Sequence, residues 1–284
     1  MRLSRRDFIG LAGAFGLAGC AGKALDVAPV IGGRLTFAAI NDLHVLDSRS
    51  TAIVNRAVQQ INAASGVRFT VVLGDLATDG AFQELTLAKT SLDRLKQPCF
   101  AVPGNHDVYM KSKNIYGNYQ SAFGDMNWDN EQEGWVFLGL DSCEGPASDV
   151  TVRVGQMDWL RWQLDRINKR RPIALFAHHP FNPNTKSYRV KNAGEVVGLF
   201  REHNLKLVAC GHYHGNQVET AGGVLFTTTA CCSTTRDNFD GTKAKGYRLF
   251  HLTRDTVETE FVEVPTYERA AREDTEKARE AMLA

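Results

Sequence analysis

The sequence predicts a layered α/β domain whose carboxy-terminal portion is rich in strands. Between Leu35 and Cys210, short apolar runs of strand length alternate with helical patterns. After His214 the pattern changes to strands separated by turns. At 284 residues the chain suits one large domain or two small ones, and a hydrophobic content of 43% is enough to fill a core.

Strands are predicted where apolar or β-branched runs are bounded by turn residues. They cover residues 35–40, 69–73, 99–102, 135–140, 172–177, 205–210, 215–220, 224–229, 247–252 and 256–262. In open α/β sheets the loops converge at the carboxyl ends of the strands, so we expect a functional site at that edge.

Helices are predicted where apolar residues recur three or four positions apart. They cover residues 52–63, 82–95, 157–167, 193–202 and 266–283. The pattern is strongest over 157–167, where Leu160, Leu164 and Ile167 lie on one face. The last helix is highly charged, and Tyr267, Ala270, Ala271 and Met282 could dock it onto the main domain.

Residues 1–19 predict an export signal rather than part of the fold. Residues 4–9, with Arg5 and Arg6, resemble a twin-arginine signal, and the apolar run that follows is too short to span a membrane. The run ends at Cys20 in a sequence that resembles a bacterial lipobox, which implies cleavage before this cysteine and lipidation of its thiol. We therefore expect an exported lipoprotein, tethered by residues 20–33 to a membrane and facing the periplasm or cell exterior.

Charge and cysteine content exclude some classes of function. The formal net charge is +1, so the chain has no basic excess that would favour nucleic acid or an anionic membrane surface, and no nucleic-acid binding is expected. Apart from Cys20 there are five cysteines, an odd number that cannot pair completely within the chain. Cys231 and Cys232 could form a vicinal disulfide, although two free thiols are favoured.

Five separate apolar runs end in residues that bind hard or borderline metal ions. They are Asp42-Leu43-His44, Gly74-Asp75, Gly104-Asn105-His106-Asp107, His178-His179 and Gly211-His212-Tyr213-His214. Six of the eight histidines lie in these stretches. Imidazole nitrogen and carboxylate oxygen suit Zn, Mn and Fe. One such run would indicate only a polar loop, but five together predict a metal site.

In this order, the five stretches resemble the pattern of the calcineurin-like metallophosphoesterase superfamily, which is Asp-x-His, Gly-Asp, Gly-Asn-His-Asp or Glu, His, and Gly-His-x-His. The portion from Gly74 to Asp107 looks most similar to the cyclic-nucleotide phosphodiesterase-like branch. The resemblance implies a β-sandwich flanked by helices, an αββα arrangement, over residues 34–264, with a carboxy-terminal helix over 265–284.

The resemblance also implies a centre of two divalent or trivalent ions (Mn, Fe or Zn), with one carboxylate between two sets of ligands. The first set is Asp42, His44 and His214, the second is Asn105, His178 and His212, and the bridging carboxylate is Asp75. A carboxylate has two oxygens, so it can bridge two cations at the spacing of about 3.5–4 Å found in two-metal sites. A metal-bridging hydroxide would then be the nucleophile.

Two further residues are implied to be catalytic. His106 would contact the phosphate and protonate the leaving oxygen as a general acid, and Asp107 would hold the imidazole in orientation. His179 adjoins the expected ligand His178, and only one of the two can easily point at a metal. The resemblance favours His178, which leaves His179 as a loop residue or a supporting residue behind the ligands.

The implied function is hydrolysis of a small-molecule phosphate ester by a metal-dependent phosphodiesterase. A phosphomonoesterase, such as a nucleotidase or an acid-phosphatase-like enzyme, would use the same metal ligands. A non-catalytic binding lipoprotein on the same fold is the third alternative. Residues 109–133 and 181–191 could shape the substrate pocket by stacking on a base or contacting a second phosphate. More often, such segments form a small core of their own with a solvated rim.

Overall fold

The computed structural model describes residues 34–266. The predicted export signal, the lipidation site Cys20 and the tether lie outside these residues, as does nearly all of the predicted carboxy-terminal helix, so these remain predictions. Within residues 34–266, no helix is long and apolar enough to cross a membrane.

Strands and helices alternate along most of the described chain. In chain order the elements are β1 (Leu35–Ile40), α1 (Thr51–Ala63), β2 (Val67–Leu73), α2 (Phe82–Leu92), β3 (Cys99–Val102), α3 (Gly117–Phe123), β4 (Trp128–Gln132), β5 (Trp135–Leu140), α4 (Val154–Arg166), β6 (Pro172–Ala177), α5 (Ala193–Gly198), β7 (Asn204–Cys210), β8 (Gln217–Ala221), β9 (Val224–Thr228), β10 (Gly246–Leu252) and β11 (Val257–Glu263).

The strands form two sheets. A five-stranded sheet has the order β11–β10–β1–β2–β3, in which β1, β2 and β3 are parallel. A six-stranded sheet has the order β4–β5–β6–β7–β9–β8, in which β5, β6, β7 and β9 are parallel. In the second sheet, β4 and β8 are antiparallel edge strands. In the first sheet, β10 pairs antiparallel with β1 and with the edge strand β11, and the parallel strand β3 forms the other edge. Within each sheet, the carboxyl ends of the parallel strands lie at the same end of the sheet, where the loops that follow them converge.

The two sheets pack face to face through an aromatic core. Phe37 of β1 stacks on Phe69 of β2 at 4.9 Å and on Phe250 of β10 at 4.8 Å, measured between ring centroids. From the opposite sheet, Phe137 and Phe176 meet Phe37 edge-on at 5.9 and 5.5 Å. Each such ring removes a large apolar area from water, worth roughly 1.5–3 kcal/mol for a fully buried side chain. This core fixes the two sheets together.

Helices cover the outer faces, because successive side chains of a strand point to opposite sides. Ala38 and Ile40 of β1 point away from Phe37 and pack with Ile53 of α1 and Leu85 of α2. On the second sheet, Leu160 of α4 and Val196 of α5 lie in the cluster that covers Leu138 and Leu175. The implied αββα sandwich is therefore confirmed.

Two elements were not predicted from the sequence, and two helices are shorter than predicted: α2 ends at Leu92 rather than at residue 95, and α5 is also shorter. Helix α3 and strand β4 form within residues 109–133, where polar residues conceal the pattern; β4 alternates partly buried and exposed positions as an edge strand does. Helix α5 ends at Gly198 and continues as turns rather than as the predicted helix to residue 202. Cys231 and Cys232 are both free thiols.

Candidate metal centre

The seven predicted metal ligands lie on loops that follow the carboxyl ends of parallel strands in both sheets. The first sheet provides Asp42 and His44 after β1, Asp75 after β2 and Asn105 after β3, and the second provides His178 after β6 and His212 and His214 after β7. All seven are buried. The fold therefore brings together residues that are up to 172 positions apart in the chain.

Most of these ligands have an unusual backbone conformation. Seven non-glycine residues within residues 34–266 have a positive φ, and five of them are Asp42, His44, Asp75, His212 and His214, with φ between 42° and 63°. A left-handed conformation costs a non-glycine residue free energy and persists only where the surroundings enforce it. Five strained residues in one cluster indicate that the position of these side chains is under functional constraint.

Backbone contacts and glycines hold the loops in this conformation. The N–H of Asp42 donates to Gly74 O at 3.0 Å, and the N–H of His44 donates to Asp75 O at 2.9 Å. A Cβ on Gly104 would lie 2.2 Å from Asp75 Oδ1, and one on Gly74 would lie 2.5 Å from His178 Nδ1. Only glycine allows the loops to approach the ligands so closely.

The first predicted set converges on one point. His44 Nε2 lies 3.3 Å from His214 Nε2 and 3.5 Å from Asp75 Oδ2. His214 Nε2 lies 3.2 Å from Asp42 Oδ1. Ligand atoms of these four residues all lie within 4.8 Å of one another.

The second predicted set converges in the same way. His178 Nε2 lies 3.0 Å from His212 Nδ1, 3.1 Å from Asn105 Oδ1 and 3.3 Å from Asp75 Oδ1. The two oxygens of Asp75 therefore face different sets, Oδ1 toward His178 and Oδ2 toward His44.

These separations fit metal coordination. Donor atoms each about 2.1 Å from one ion, at angles of 90–109°, lie roughly 3.0–3.4 Å apart. The ligand-atom distances given above for both sets are 3.0–3.5 Å. Hydrogen bonds alone do not explain these distances, because His178 Nε2 lies within 3.0–3.3 Å of three other ligand atoms at once, and one nitrogen cannot form a hydrogen bond with all three. The residues present therefore fit a pair of cations.

Backbone carbonyls orient three of the histidines. His178 Nδ1 lies 2.8 Å from Leu73 O, His212 Nε2 lies 2.9 Å from Ser148 O and His214 Nδ1 lies 2.9 Å from Asp237 O. A carbonyl oxygen only accepts hydrogen bonds, so each of these nitrogens carries the proton. The other nitrogen of each ring then presents its lone pair to the centre, as a metal ligand must.

The electrostatics of the cluster favour positive charge between the ligands. Burial lowers the pKa of His44 to about 3 and that of His212 to about 4, so both are neutral near pH 7. Burial also opposes charge on His178 and His214, but Asp75 and Asp42 outweigh it and raise their pKa values to about 9 and about 11. A metal ion would replace the protons that these two histidines attract.

His106 lies beside the ligands on the loop after β3. Its N–H donates to Asp75 Oδ1 at 2.8 Å, and its ring lies 4.8 Å from that of His44. His106 Nδ1 lies 2.7 Å from Thr78 O, so Nδ1 carries a proton and Nε2 is available to a substrate. Together with Asn105, Thr78, Tyr109 and other residues, it lines a cavity of about 440 Å³.

The orienting contact expected of Asp107 is not the one the fold makes. Its carboxylate accepts hydrogen bonds from the N–H groups of Ala77 at 2.9 Å and Gly104 at 2.8 Å, while Thr78 O contacts the His106 ring instead. Consecutive side chains of the 3-10 turn over Asn105–Asp107 point in different directions, which separates the carboxylate from the imidazole. Asp107 therefore fixes the loops on which Asp75 and Asn105 lie.

His179 lies next to the second set, and its ligand atoms are within 4.8 Å of those of His178 and His212. Both of its ring nitrogens have protein partners, however. Nδ1 lies 2.9 Å from Ser142 Oγ, and Nε2 lies 3.2 Å from Ala147 O. These contacts favour a supporting place for His179, and the choice of His178 as the ligand stays a prediction.

Each of the two segments expected near the substrate contributes residues beside the ligands, but part of the first segment belongs to the core. Within 109–133, Tyr119 is fully buried and Trp128 stacks on Phe100 at 4.9 Å, whereas Tyr109 and Lys111 line the cavity. Within 181–191, Tyr188 lies with its ring 5.6 Å from that of His212.

Sequence reasoning missed two neighbours of the centre. Arg236 Nε lies 3.4 Å from His44 Nδ1, and Phe239 stacks on His214 with ring centroids 5.0 Å apart. Both lie between β9 and β10, in a stretch without an apolar run or a motif, so no sequence signal pointed to them.

Comparison with known proteins agrees with this geometry. Residues 35–216, which include every predicted ligand, match the calcineurin-like phosphoesterase family. A probable cyclic nucleotide phosphodiesterase of Synechococcus sp. is 28% identical over 235 residues, which cover 78% of this chain and 89% of that protein. A probable glycerophosphodiester phosphodiesterase of Arcobacter nitrofigilis is 25% identical over 177 residues, which cover 56% of this chain and 61% of that protein.

A solved structure supports the fold alone. The purple acid phosphatase PPD1 of yellow lupin aligns with a TM-score of 0.66 at 10% identity, over 84% of this chain and 54% of that one. The family match extends over more than half of the chain and contains all the strand ends that position the seven predicted ligands. We call these seven residues the metal-type cluster: Asp42, His44, Asp75, Asn105, His178, His212 and His214. The chain therefore belongs to the calcineurin-like phosphoesterase family and is a metal-dependent phosphoric ester hydrolase.

Proposed function

We propose that this hydrolase is a phosphodiesterase whose centre holds two metal ions. Asp42, His44 and His214 would hold one ion, Asn105, His178 and His212 would hold the other, and Asp75 would bridge them. The position of Asp75 carries the proposal, because its two carboxylate oxygens face one set each, at 3.5 Å from His44 Nε2 and 3.3 Å from His178 Nε2.

The charge of the centre suits a phosphate ester. Two divalent ions and the carboxylates of Asp42 and Asp75 leave a local charge near +2 in a chain whose net charge is only +1. Bound ions would supply Lewis-acid chemistry, activating water and neutralising charge on the phosphoryl oxygens. Arg236 adds a positive charge beside His44.

His106 would act on the leaving group. Its Nδ1 proton is held by Thr78 O, which fixes the ring and leaves Nε2 as the nitrogen that can carry and donate a proton. The same residue lines the cavity of about 440 Å³, large enough for a substituent of a small-molecule ester. The cavity and the general acid therefore lie on the same side of the centre.

Two observations favour a diester. The relatives named above are phosphodiesterases by name. In addition, the ligands border both the cavity lined by Asn105 and His106 and the exposed rings of Tyr188 and Phe239, which contact His212 and His214. A diester has two substituents to place, whereas a monoester has one.

A paired assay with the Mn-loaded protein tests the proposal. We expect bis-p-nitrophenyl phosphate to be hydrolysed with a kcat/KM at least about tenfold above that of p-nitrophenyl phosphate, a difference of about 1.4 kcal/mol in transition-state stabilisation. Metal analysis should give two ions per chain, and Asp75→Asn should lose bound metal together with activity.

Each contrary result has a distinct meaning. Preference for the monoester would assign the chain as a phosphomonoesterase with the same ligands. One ion per chain, or full metal content in the Asp75→Asn variant, would contradict the two-metal centre. Metal binding without hydrolysis of either ester would indicate a binding protein.

A further inference from the structure

Two exposed aromatic side chains, Tyr188 and Phe239, stack on each other beside the metal-type cluster. Their ring centroids are 5.2 Å apart at an interplanar angle of 20°. Phe239 also lies parallel to the ring of His214, at 5.0 Å and 3°, and Tyr188 meets His212 edge-on at 5.6 Å. We call these two residues the aromatic pair. It contacts one ligand from each predicted set.

The fold holds both members of the pair in place although they are exposed. Tyr188 has a φ of 56°, in the left-handed region that is a genuine outlier for a bulky residue. The next residue, Arg189, is tied at both backbone groups, since its N–H donates to Asp149 Oδ1 at 3.1 Å and its carbonyl accepts from Val150 N–H at 3.0 Å. Phe239 N–H donates to His214 O at 3.0 Å.

This combination is not accounted for by packing. Tyr188 is 38% exposed and Phe239 is 51% exposed, so the pair buries only part of its apolar area. One exposed aromatic residue is ordinary on a protein surface. Two such residues that lie on separate loops and stack on each other are not ordinary. Because one of them also has a strained backbone, together they form a preorganised surface. Such rigid aromatic surfaces bind planar groups at low cost in conformational entropy.

The aromatic pair and the cavity beside His106 are lined by different residues. The cavity extends from Asn105 and His106 to Ser148, whose carbonyl oxygen lies 2.9 Å from His212 Nε2, whereas the rings of the pair contact His212 and His214. In hydrolysis of a diester, the P–O bond to the leaving substituent breaks and the oxygen of water bonds to phosphorus. A proton returns to the leaving oxygen, and the second substituent stays on phosphorus. A general acid at His106 places the leaving substituent on the cavity side.

We infer that Tyr188 and Phe239 bind the substituent that stays on phosphorus, and that they select a planar one such as a nucleoside or an aryl group. This inference rests on the proposed phosphodiesterase function. The stack presents aromatic surface next to the ligands of both predicted metal positions, within reach of a substituent whose phosphate is bound there. Stacking on such a surface depends on the planar face of the group and not on its hydrogen bonds.

Substrates that share a leaving group test the inference. Thymidine 5′-(p-nitrophenyl phosphate) and methyl p-nitrophenyl phosphate both release p-nitrophenolate and differ only in the retained substituent. We expect Tyr188→Ala and Phe239→Ala to lower kcat/KM for the thymidine ester about tenfold, mainly through KM, as loss of about 1.4 kcal/mol of stacking would. The methyl ester should change less than about twofold.

Three controls separate binding from structure. Tyr188→Phe keeps the ring and should keep the preference. Tyr188→Gly relieves the positive φ but removes the ring, so it should behave like Tyr188→Ala. Trp162→Ala removes an exposed aromatic side chain from α4 and should leave both substrates unaffected. Equal losses for the thymidine and methyl esters would overturn the inference, because the rings would then act on the centre and not on the substituent.

Failure of the proposed function would be distinguishable. If the wild-type protein binds metal but hydrolyses neither diester, the phosphodiesterase proposal fails. The pair is then judged by inhibition of p-nitrophenyl phosphate hydrolysis or, if the protein hydrolyses no ester, by direct titration with thymidine 5′-phosphate and inorganic phosphate, whose dissociation constants then replace the inhibition constants. A rise of about tenfold in the inhibition constant of thymidine 5′-phosphate in the alanine variants, without a rise for inorganic phosphate, would support a planar-group site. An unchanged ratio of the two constants would overturn it.

Discussion

His178 and His179 are adjacent in the chain, but their ring nitrogens have different partners. His178 uses one nitrogen for Leu73 O and turns the other toward Asp75, Asn105 and His212. His179 has Ser142 Oγ at one nitrogen and Ala147 O at the other. A ligand needs a free lone pair, so His178 suits metal binding and His179 suits support of the loop.

We expect His178→Gln to lose one ion per chain and at least about 100-fold in kcat, because removing a ligand should cost at least as much as losing a supporting partner. The matched variant His179→Gln should keep both ions and lose about tenfold, as loss of a supporting partner typically does. Metal analysis and kcat on bis-p-nitrophenyl phosphate measure both effects. The assignment would be reversed if the His179 variant lost the ion and the His178 variant kept it.

Single residues also mark the limit of what the sequence predicts. Asp42, His44 and Asp75 were recognisable as candidate ligands because each follows an apolar run of strand length. The end of the strand then determines where the residue lies. Thr78 and Phe239 were not recognisable, because a backbone carbonyl contact and a stacking partner 25 positions beyond His214 leave no pattern in the sequence. The contact expected between Asp107 and the His106 ring could not be predicted reliably either, because adjacency in the sequence does not determine the direction of a side chain. The Asp107 carboxylate contacts backbone N–H groups instead.

At the scale of the element, the turn after β3 must pass within contact distance of the turn after β2. Gly104 makes this possible, since a Cβ there would lie 2.2 Å from both the backbone nitrogen and Oδ1 of Asp75. Asp75 is itself strained, with a φ of 52°, so it has little freedom to move aside. The glycine therefore determines where the shared carboxylate lies.

We expect Gly104→Ala to displace Asp75, reduce bound metal and lower kcat about 100-fold, the cost of misplacing a reacting group by about 1 Å. Gly155→Ala is the matched control. It lies in α4, nothing comes within 4 Å of its added Cβ, and alanine should stabilise the helix by up to about 1 kcal/mol. Metal content, kcat and denaturant unfolding distinguish the two variants. Normal metal content and activity in Gly104→Ala would contradict the proposed constraint.

The elements that the sequence did predict are those with one dominant face. Buried parallel strands such as β1 and β6 are continuous apolar runs, and they were predicted with the boundaries observed. Strand β4 was missed because only its alternate residues are partly buried, and Asp129 and Glu131 make it look like a loop. Its Trp128 nevertheless packs across the sandwich, stacking on Phe100 of one sheet and Phe176 of the other.

At the scale of the whole molecule, the metal-type cluster joins the two sheets at one edge. Asp42, Asp75 and Asn105 come from the first sheet, and His178 and His212 come from the second. The layered class was predictable from the alternation of strands and helices. The pairing of the sheets was not, because it depends on contacts such as Phe37 with Phe176, between residues far apart in the chain.

Metal removal should therefore lower the stability of the whole domain. Ions that bind the folded chain at 100 to 1,000 times their dissociation constant stabilise it by about 2.7–4.1 kcal/mol. For a domain of this size each kcal/mol shifts Tm by roughly 2–4 °C, so chelation should lower Tm by about 5–15 °C. The measurement is thermal unfolding of the Mn-loaded protein before and after dialysis against a chelator, with metal content determined on the same samples.

The Asp75→Asn variant, which should bind little metal, is the control and should show a much smaller shift. A chelated wild-type protein that has lost its metal but keeps its Tm would mean that the centre does not brace the two sheets, and that the aromatic core between them is sufficient alone.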